Sequence, residues 1–184
     1  AMNIQVNERR IESFDVSEPV YIADEKINAH FDGTSVFDIV IETDEPEALF
    51  NPRFLKKIEA LQTFIESHEI VGGTTSVVDY LKQMNRSINE GRLEEYRLVD
   101  DGLLNAQLFL LYSTSGDPTD FEEEIDYDYQ RANIRVNLPS ASYQQLKPLV
   151  ASFSQYITDE FNEPGLSATL SGRDMITYAW VDAV

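Results

Sequence analysis

An internal repeat is the feature that most constrains what this chain of 184 residues can fold into. When the sequence is placed on itself with an offset of 95 residues, Ile39 falls on Ile134 and Ile41 falls on Val136. The other matched positions are Phe54, Leu55, Ile58 and Leu61 on Leu149, Val150, Phe153 and Tyr156, and Thr74, Ser76 and Asp79 on Thr169, Ser171 and Asp174. Strand, helix, strand and capped helix start therefore recur in one order, which favours a duplication over two independent βαβ stretches of similar length.

The repeat predicts an α+β fold in which two βαβ units share one sheet, a ferredoxin-like split βαβ sandwich. Right-handed crossovers would place both long helices on the same face of that sheet. We expect one compact domain with four parts: a lead-in arm over 1–35 with a helix near 19–31, a first βαβ half over 36–76, a helical insertion over 77–130, and a second βαβ half over 131–184 that runs into a C-terminal helix.

Local patterns place the elements of the first half. The β-branched and aromatic run 36–41 predicts a buried strand, and we expect Ile70 and Val71 to begin the next strand. Ser76 followed by Asp79 is a variant of the capping box, which predicts that a helix starts there.

The remaining elements follow from the same kinds of signal. The insertion residues 92–128 look helical, and alternating apolar and polar residues over 132–138 predict a strand with one wet face. An amphipathic helix is expected over 140–161 and a short strand over 166–172, after which Ser171 resembles the cap of a last helix.

The charge of the chain excludes several classes of partner. Asp and Glu number 33 against 14 Lys and Arg, which gives a formal net charge of −19. Such a chain repels nucleic-acid phosphates and anionic lipid head groups, so we expect no nucleic-acid partner. The sequence has no cysteine and two histidines, which excludes thiol chemistry and a histidine-rich metal site built from one chain.

Three features resemble functional sites and have simpler explanations. An acidic run could hold Ca²⁺, but it lacks the spacing of an EF-hand and is more typical of a solvated face. It comprises Asp117, Asp120, Glu122, Glu123, Glu124, Asp126 and Asp128. His68 and His30 are interpreted as exposed histidines at helix ends. Gly72 and Gly73 precede a helix, but without a P-loop lysine they indicate a turn. We therefore expect no catalytic residue, no metal site and no cofactor.

The segment LLNAQLFLLY, residues 103–112, is apolar nearly all round. A helix of this kind must be covered on more than one side. The simplest explanation is that it forms core beneath the insertion. The alternative is that one face covers the sandwich while Leu103, Leu104, Leu108 and Phe109 help to form an interface or a substrate path.

Three segments in this order resemble a known family: HFDGTSVFDIVIETDEPEALFNPRFLKKIEALQTFIES, TTSVVDYLKQMNRSINEG and LLNAQLFLLYSTSGDPTDFEEEIDYDYQRANIRVNL. The shared features are a Gly-Thr pair before the first strand, the Ser-x-x-Asp caps, and a Ser-Gly-Asp and Tyr-Asp-Tyr pattern before the third strand. Over residues 14–184 the chain resembles the first large extracytoplasmic loop of bacterial RND-superfamily exporters of the MMPL-like branch, between the first and second transmembrane helices.

The resemblance implies a non-catalytic porter-type subdomain of a proton-driven exporter of apolar or lipid-like molecules. The proton-relay residues of such exporters lie in membrane helices that this chain does not contain. The implied partners are the membrane helices, the second extracytoplasmic loop and other protomers of the same transporter. The implied location is the periplasmic side of a bacterial inner membrane, and we expect the chain to be a piece of a longer protein.

Two rival functions remain open from the sequence. One is a stand-alone ferredoxin-like module that binds a small molecule. The other is an enzyme that uses the acidic run with a divalent metal ion.

Overall fold

The computed structural model describes residues 10–115, 124–172, 175–176 and 178–179. The helices are α1 Pro19–His30, α2 Pro52–Glu66, α3 Val77–Ile88, α4 Gly102–Ser115 and α5 Tyr143–Tyr156, which continues as a π-helical turn Ile157–Phe161. The strands are β1 Ser35–Thr43, β2 Gly73–Thr75, β3 Arg131–Leu138 and β4 Leu166–Ser171. Short 3₁₀ turns lie at Arg10–Ser13, Ala48–Phe50 and Leu93–Glu95.

The four strands form one antiparallel sheet in the order β2-β3-β1-β4. The central pair is β1 with β3, and Ile39 lies directly opposite Ile134. Each strand of this pair therefore lies between the other and one edge strand. The prediction of an α+β fold is confirmed.

The core lies between the inward face of the sheet and helices α2 and α5. Side chains of β1 and β3 alternate between a buried and a partly exposed position, as one-sided burial requires. Phe37 of β1 meets Phe153 of α5 with ring centroids 5.8 Å apart, and Phe64 of α2 stacks on Tyr156 at 4.1 Å. Both helices thus cover the same face of the sheet. Burial of each large apolar side chain contributes about 1.5–3 kcal/mol to the free energy of unfolding.

The 95-residue offset fails in the second strand of each half. Thr74 pairs with Val136, which points into the core, whereas Thr169 pairs with Val40 on the opposite face. The predicted match of Thr74 with Thr169 is therefore wrong. A shift of one residue along a strand moves every side chain to the other face, so the two halves share an order of elements but not a complete register.

The π-helical turn after α5 also interrupts the offset. At 95 residues Ile65, which is buried, would match Glu160, but Glu160 is exposed and Phe161 is buried instead. A π turn closes its hydrogen bond over one more residue than an α turn. This extra residue rotates the end of the helix until a phenylalanine, and not a carboxylate, faces the core.

The start of the second strand differs from the prediction. The second strand does not begin at Ile70 and Val71, because the amide of Val71 donates to the carbonyl of His68 in a turn at 2.9 Å, and β2 starts at Gly73. Both apolar residues pack against the core from that turn.

The stretch 92–128, which looks helical in sequence, is helical only in part. Outside α4, the described part of this stretch is helical only in the 3₁₀ turn at Leu93–Glu95. Farther along, Ile125 forms a bridge with Ala132 and so extends the sheet beside β3. In the predicted last helix, helical backbone is described at 175–176 and 178–179, and Asp174 of the predicted cap lies outside the described residues.

A buried amide fixes α3 against α2. Ser76 and Asp79 form the predicted capping box at the start of α3. Gln62 of α2 donates to the Asp79 carboxylate at 2.8 Å and to Thr74 Oγ1 at 3.1 Å. Its own oxygen accepts from Ser76 Oγ at 2.7 Å. Because both Gln62 and Ser76 are buried, the hydrogen bond between them is shielded from water. Together with the bonds from Gln62 to Asp79 and Thr74, it sets the position of α3.

Replacement of Gln62 by leucine should lower the free energy of unfolding by about 2 kcal/mol, because Ser76 Oγ and the Asp79 carboxylate lose a partner where water is excluded. Urea denaturation measures the change. Gln83→Leu is the control, since it makes the same replacement at an exposed side chain of α3. Its free energy of unfolding should stay within about 0.5 kcal/mol of wild type. Equal stability of the two variants would contradict a structural role for the Gln62 amide.

The edge strand β4 has some of its outward backbone groups already satisfied. The amide of Ala168 donates to Asn162 Oδ1 at 2.9 Å. Leu166 exchanges both of its backbone hydrogen bonds with Glu163 at 3.0 Å. These contacts occupy the groups that an edge strand otherwise offers to another chain.

Candidate functional site

The four predicted residues of α4 divide between the core and the surface. Leu108 and Phe109 are 4% and 2% exposed, Leu104 is partly buried, and Leu103 is 71% exposed. The Phe109 ring lies 5.7 Å from that of Phe50. The sequence places these four side chains in one segment, and the structure brings them to different sides of one helix.

The outward side of α4 is also apolar. Leu103, Leu110 and Leu111 are all exposed large hydrophobic residues. Neighbouring exposed leucines on one helix are uncommon on a monomeric soluble protein and typically mark a surface that binds something. Polar Asn105 belongs to the inner side, where its amide donates to the carbonyl of Val99 at 3.0 Å and ties the start of α4 to the preceding loop.

A groove of about 250 Å³ lies between α3 and α4, and we call it the α3–α4 groove. Its α3 wall is a single stripe at helical spacing: Tyr80, Gln83, Met84, Ser87 and Ile88. Residues three and four apart share one face of a helix, so these side chains all point toward α4. Met84 is buried and forms part of the floor.

The α4 wall of the groove is formed by Leu108, Leu111 and Tyr112. Leu108 is buried and lies at the bottom, while Leu111 and Tyr112 are exposed at the rim. Of the four residues predicted from sequence, Leu108 is the one that lines this groove. The groove is therefore apolar at its base, and its hydrogen-bonding groups belong to Tyr80, Gln83, Ser87 and Tyr112.

The groove lies next to an acidic neighbourhood. Burial raises the pKa of the Tyr80 hydroxyl above its ordinary value near 10, and the charges of Glu124 and Asp79 raise it further. Arg135 acts in the opposite direction. Tyr80 therefore stays protonated, and its hydroxyl keeps its proton for a hydrogen bond at any physiological pH.

The raised pKa of Tyr80 predicts a loss of stability at alkaline pH. Above about pH 10 the unfolded chain releases a proton that the folded chain still holds, so the free energy of unfolding falls as pH rises through that window. Tyr80→Phe should reduce this slope, measured by urea denaturation at several pH values. Tyr127→Phe is the matched control, with a side chain that is 95% exposed, and should keep the wild-type slope. An unchanged slope in Tyr80→Phe would contradict the raised pKa.

Sequence reasoning missed the α3 wall of the groove. The signal available was the spacing of Tyr80, Met84 and Ile88, four residues apart, beside the stronger apolar stripe of Val77 and Leu81 that packs into the core. Only the placement of α4 shows that this second stripe has an apolar neighbour.

The interpretation of His68 as an exposed histidine is wrong. His68 is half-buried, and its Nδ1 lies 3.0 Å from the carbonyl oxygen of Phe64 and its Nε2 lies 3.1 Å from Ser152 Oγ. Its ring packs edge-on against Phe64 and Phe153. Because Nδ1 faces a carbonyl, it carries the proton, and the side chain links α2 to α5. His30 is exposed as predicted, with Nδ1 2.9 Å from the Lys26 carbonyl oxygen.

Gly72, just before β2, and Gly73, its first residue, accommodate a neighbouring loop. A Cβ atom on Gly72 would lie 1.8 Å from the backbone oxygen of Asp32, and one on Gly73 would lie 3.2 Å from the Asp32 carboxylate. Glycine is needed here for close approach of two backbone segments. The negative charge of Asp32 at this point opposes anion binding.

The described part of the acidic run shows a structural role for one carboxylate. Asp126 Oδ1 accepts from the amides of Gln130 and Arg131 at 2.8 and 2.9 Å and holds the turn before β3. Asp117, Asp120, Glu122 and Glu123 lie outside the described residues. Within the described residues, no group of three or more acidic or histidine side chains is placed to hold a metal ion.

A second cavity, of about 350 Å³, lies beside α1 and has a mixed lining, in which Ile11, Ala29 and Pro139 accompany polar residues such as Asp24 and Asn28. The Asp24 and Asn28 side chains are engaged in holding α1. Asp24 accepts from Thr34 Oγ1 at 2.7 Å and from Asn28 Nδ2 at 2.8 Å. The α3–α4 groove is the better candidate site, because its base is apolar while its hydrogen-bonding groups stand at the rim.

None of the helices described here is both long enough and apolar enough to cross a membrane. Comparisons with protein-family models, with curated proteins and with solved structures found no match to this chain.

Proposed function

We propose that this chain is an extracytoplasmic porter domain of a proton-driven, RND-type exporter of apolar or lipid-like molecules, in the MMPL-like branch. The domain guides and gates the substrate and has no catalytic step of its own. The proposal starts from the resemblance of residues 14–184 to the first large loop of such exporters.

The sheet supports this proposal. Its order β2-β3-β1-β4 places β3 between the two strands of the first βαβ unit and β1 between the two strands of the second. This interleaved order supports a ferredoxin-like split βαβ sandwich, the form that the family resemblance implies for a porter subdomain. We therefore propose the ferredoxin-like type as the finer description of the fold.

The exposed apolar side of α4, next to the α3–α4 groove, is the observation that carries the functional proposal. A domain that passes apolar molecules needs an apolar surface open to them, and Leu103, Leu110 and Leu111 supply one. Leu103 and Leu104 belong to this proposed substrate path or interface. Leu108 lies at the base of the adjoining groove, and Phe109 supports the surface from inside the domain.

The proposed partners are the membrane helices and the second extracytoplasmic loop of the same transporter, together with neighbouring protomers. The proposed location is the periplasmic side of a bacterial inner membrane. In this proposal the membrane helices carry the proton-relay residues, and the domain moves as a rigid body against the second loop. A tightly packed core suits rigid-body motion because it transmits displacement without deforming.

The alternative is a stand-alone ferredoxin-like module that binds a small molecule. The α3–α4 groove favours this alternative as well, because a single copy of the chain forms both of its walls. The two proposals differ in what the chain is attached to, and an experiment on the native gene product separates them.

The test is membrane fractionation of the source cells with an antibody raised against this chain. The exporter proposal expects a band much larger than the 21.0 kDa of the chain, which stays with the membrane after a carbonate wash. A soluble band near 21 kDa would overturn the exporter proposal and support the binding module. A known integral membrane protein and a known periplasmic protein serve as fractionation controls.

A further inference from the structure

The chemistry of the α3–α4 groove restricts the ligand that it can hold. Among the described residues, the eight that line the groove carry no charge. Its base is formed by Met84 and Leu108, which are buried, and Ile88 and Leu111 stand at the sides. The base is thus suited to an apolar chain, since a polar group placed there would lose its water without gaining a partner.

The rim of the groove is suited to an uncharged polar group. Tyr80 and Tyr112 carry hydroxyl groups and Gln83 carries an amide, while the Ser87 hydroxyl donates to the Gln83 carbonyl oxygen at 2.8 Å and can still accept a hydrogen bond. These groups both donate and accept hydrogen bonds, as the hydroxyl groups of a sugar or a glycerol do. A charged head group would find no opposite charge among the described residues that line the groove.

The surrounding charge opposes an anionic ligand in particular. Glu124 and Asp79 act on Tyr80 from beside the groove, and Arg135 offsets only part of their charge. The chain as a whole carries −19. A field of this sign lowers the local concentration of anions and slows their association.

The size of the groove restricts the apolar part. Pockets for drug-sized ligands measure about 300–1,000 Å³, so a groove of about 250 Å³ holds a single short chain or one end of a longer one. Two parallel acyl chains exceed this space.

We infer that the α3–α4 groove binds a single-chain amphiphile with an uncharged, hydroxyl-rich head group. The chain lies on Met84 and Leu108 between the two helices, and the head group meets the tyrosine hydroxyls at the rim. This inference names the substrate class of the proposed function and rests on that function only for its place in an export path. Binding itself is a property of the 184-residue chain.

The test compares three ligands with the same eight-carbon chain, each below its micelle concentration: octyl glucoside, octanoate and octyltrimethylammonium. Binding is followed by shifts of the backbone amide signals in ¹H–¹⁵N NMR spectra of the 184-residue chain. We expect octyl glucoside to bind most tightly, with its largest shifts on α3 and α4 at Met84, Ile88 and Leu111. Octanoate should bind at least about tenfold more weakly.

Two exposed leucines provide a matched pair of variants. Leu111 is 59% exposed and lines the groove, whereas Leu93 is 73% exposed and lies in the 3₁₀ turn outside the groove. Leu111→Arg should weaken octyl glucoside binding about tenfold or more, because a charged side chain replaces an apolar wall. Leu93→Arg adds the same charge at an exposed position outside the groove and should leave the affinity within about twofold.

Each other outcome overturns a stated part of the inference. Equal or tighter binding of octanoate or of octyltrimethylammonium would overturn the inference that the head group is uncharged. The groove would be ruled out as the binding site if the shifts lay away from α3 and α4, or if none of the three ligands gave a saturable shift. The spectra of the wild-type chain are enough to decide this. Neither result bears on the fractionation test, so failure of this inference is distinguishable from failure of the exporter proposal.

Discussion

The position of α3 depends on one buried amide, and the candidate site depends on α3. Gln62 of α2 holds both residues of the capping box, Ser76 and Asp79, at the point where the chain leaves β2. From that fixed start, Val77 and Leu81 turn inward and Tyr80 and Met84 turn toward α4. A short polar contact therefore sets the direction of an apolar groove. Its strength comes from the exclusion of water, which leaves the amide no alternative partner.

Much of the fold could be predicted because its central elements have strong local signals. The run around Ile39 and the alternation around Ile134 identify the two central strands, and Ser76 with Asp79 marks the start of α3. The edge strand β2 has only the residues Gly73, Thr74 and Thr75, too few to show alternation of apolar and polar side chains. Its start therefore could not be predicted from the sequence. The offset of 95 residues could not reveal the change of register either, since strand pairing and the π turn are set by contacts between distant segments.

The candidate site could be predicted only on one side. The apolar segment 103–112 indicates that α4 has more apolar surface than one core can cover. In the structure one side of α4 is buried and apolar residues on the other side are exposed. The facing stripe of α3 is weaker in sequence, with Gln83 and Ser87 among its members, and it becomes a wall only beside α4. The partial burial of His68 also could not be predicted from its sequence neighbours. Its sequence neighbours are Ser67 and Glu69, both polar, while its spatial neighbours are two phenylalanine rings from different helices.

The hydrogen bond from Ala168 to Asn162 has a consequence for assembly. A sheet grows sideways only when an edge strand offers free amides and carbonyls in register, and β4 has part of its ladder closed by its own chain. The opposite edge, β2, has three residues and offers little length for pairing. Pairing with a strand of another chain is therefore disfavoured at both edges, which keeps the four strands a sheet of fixed width.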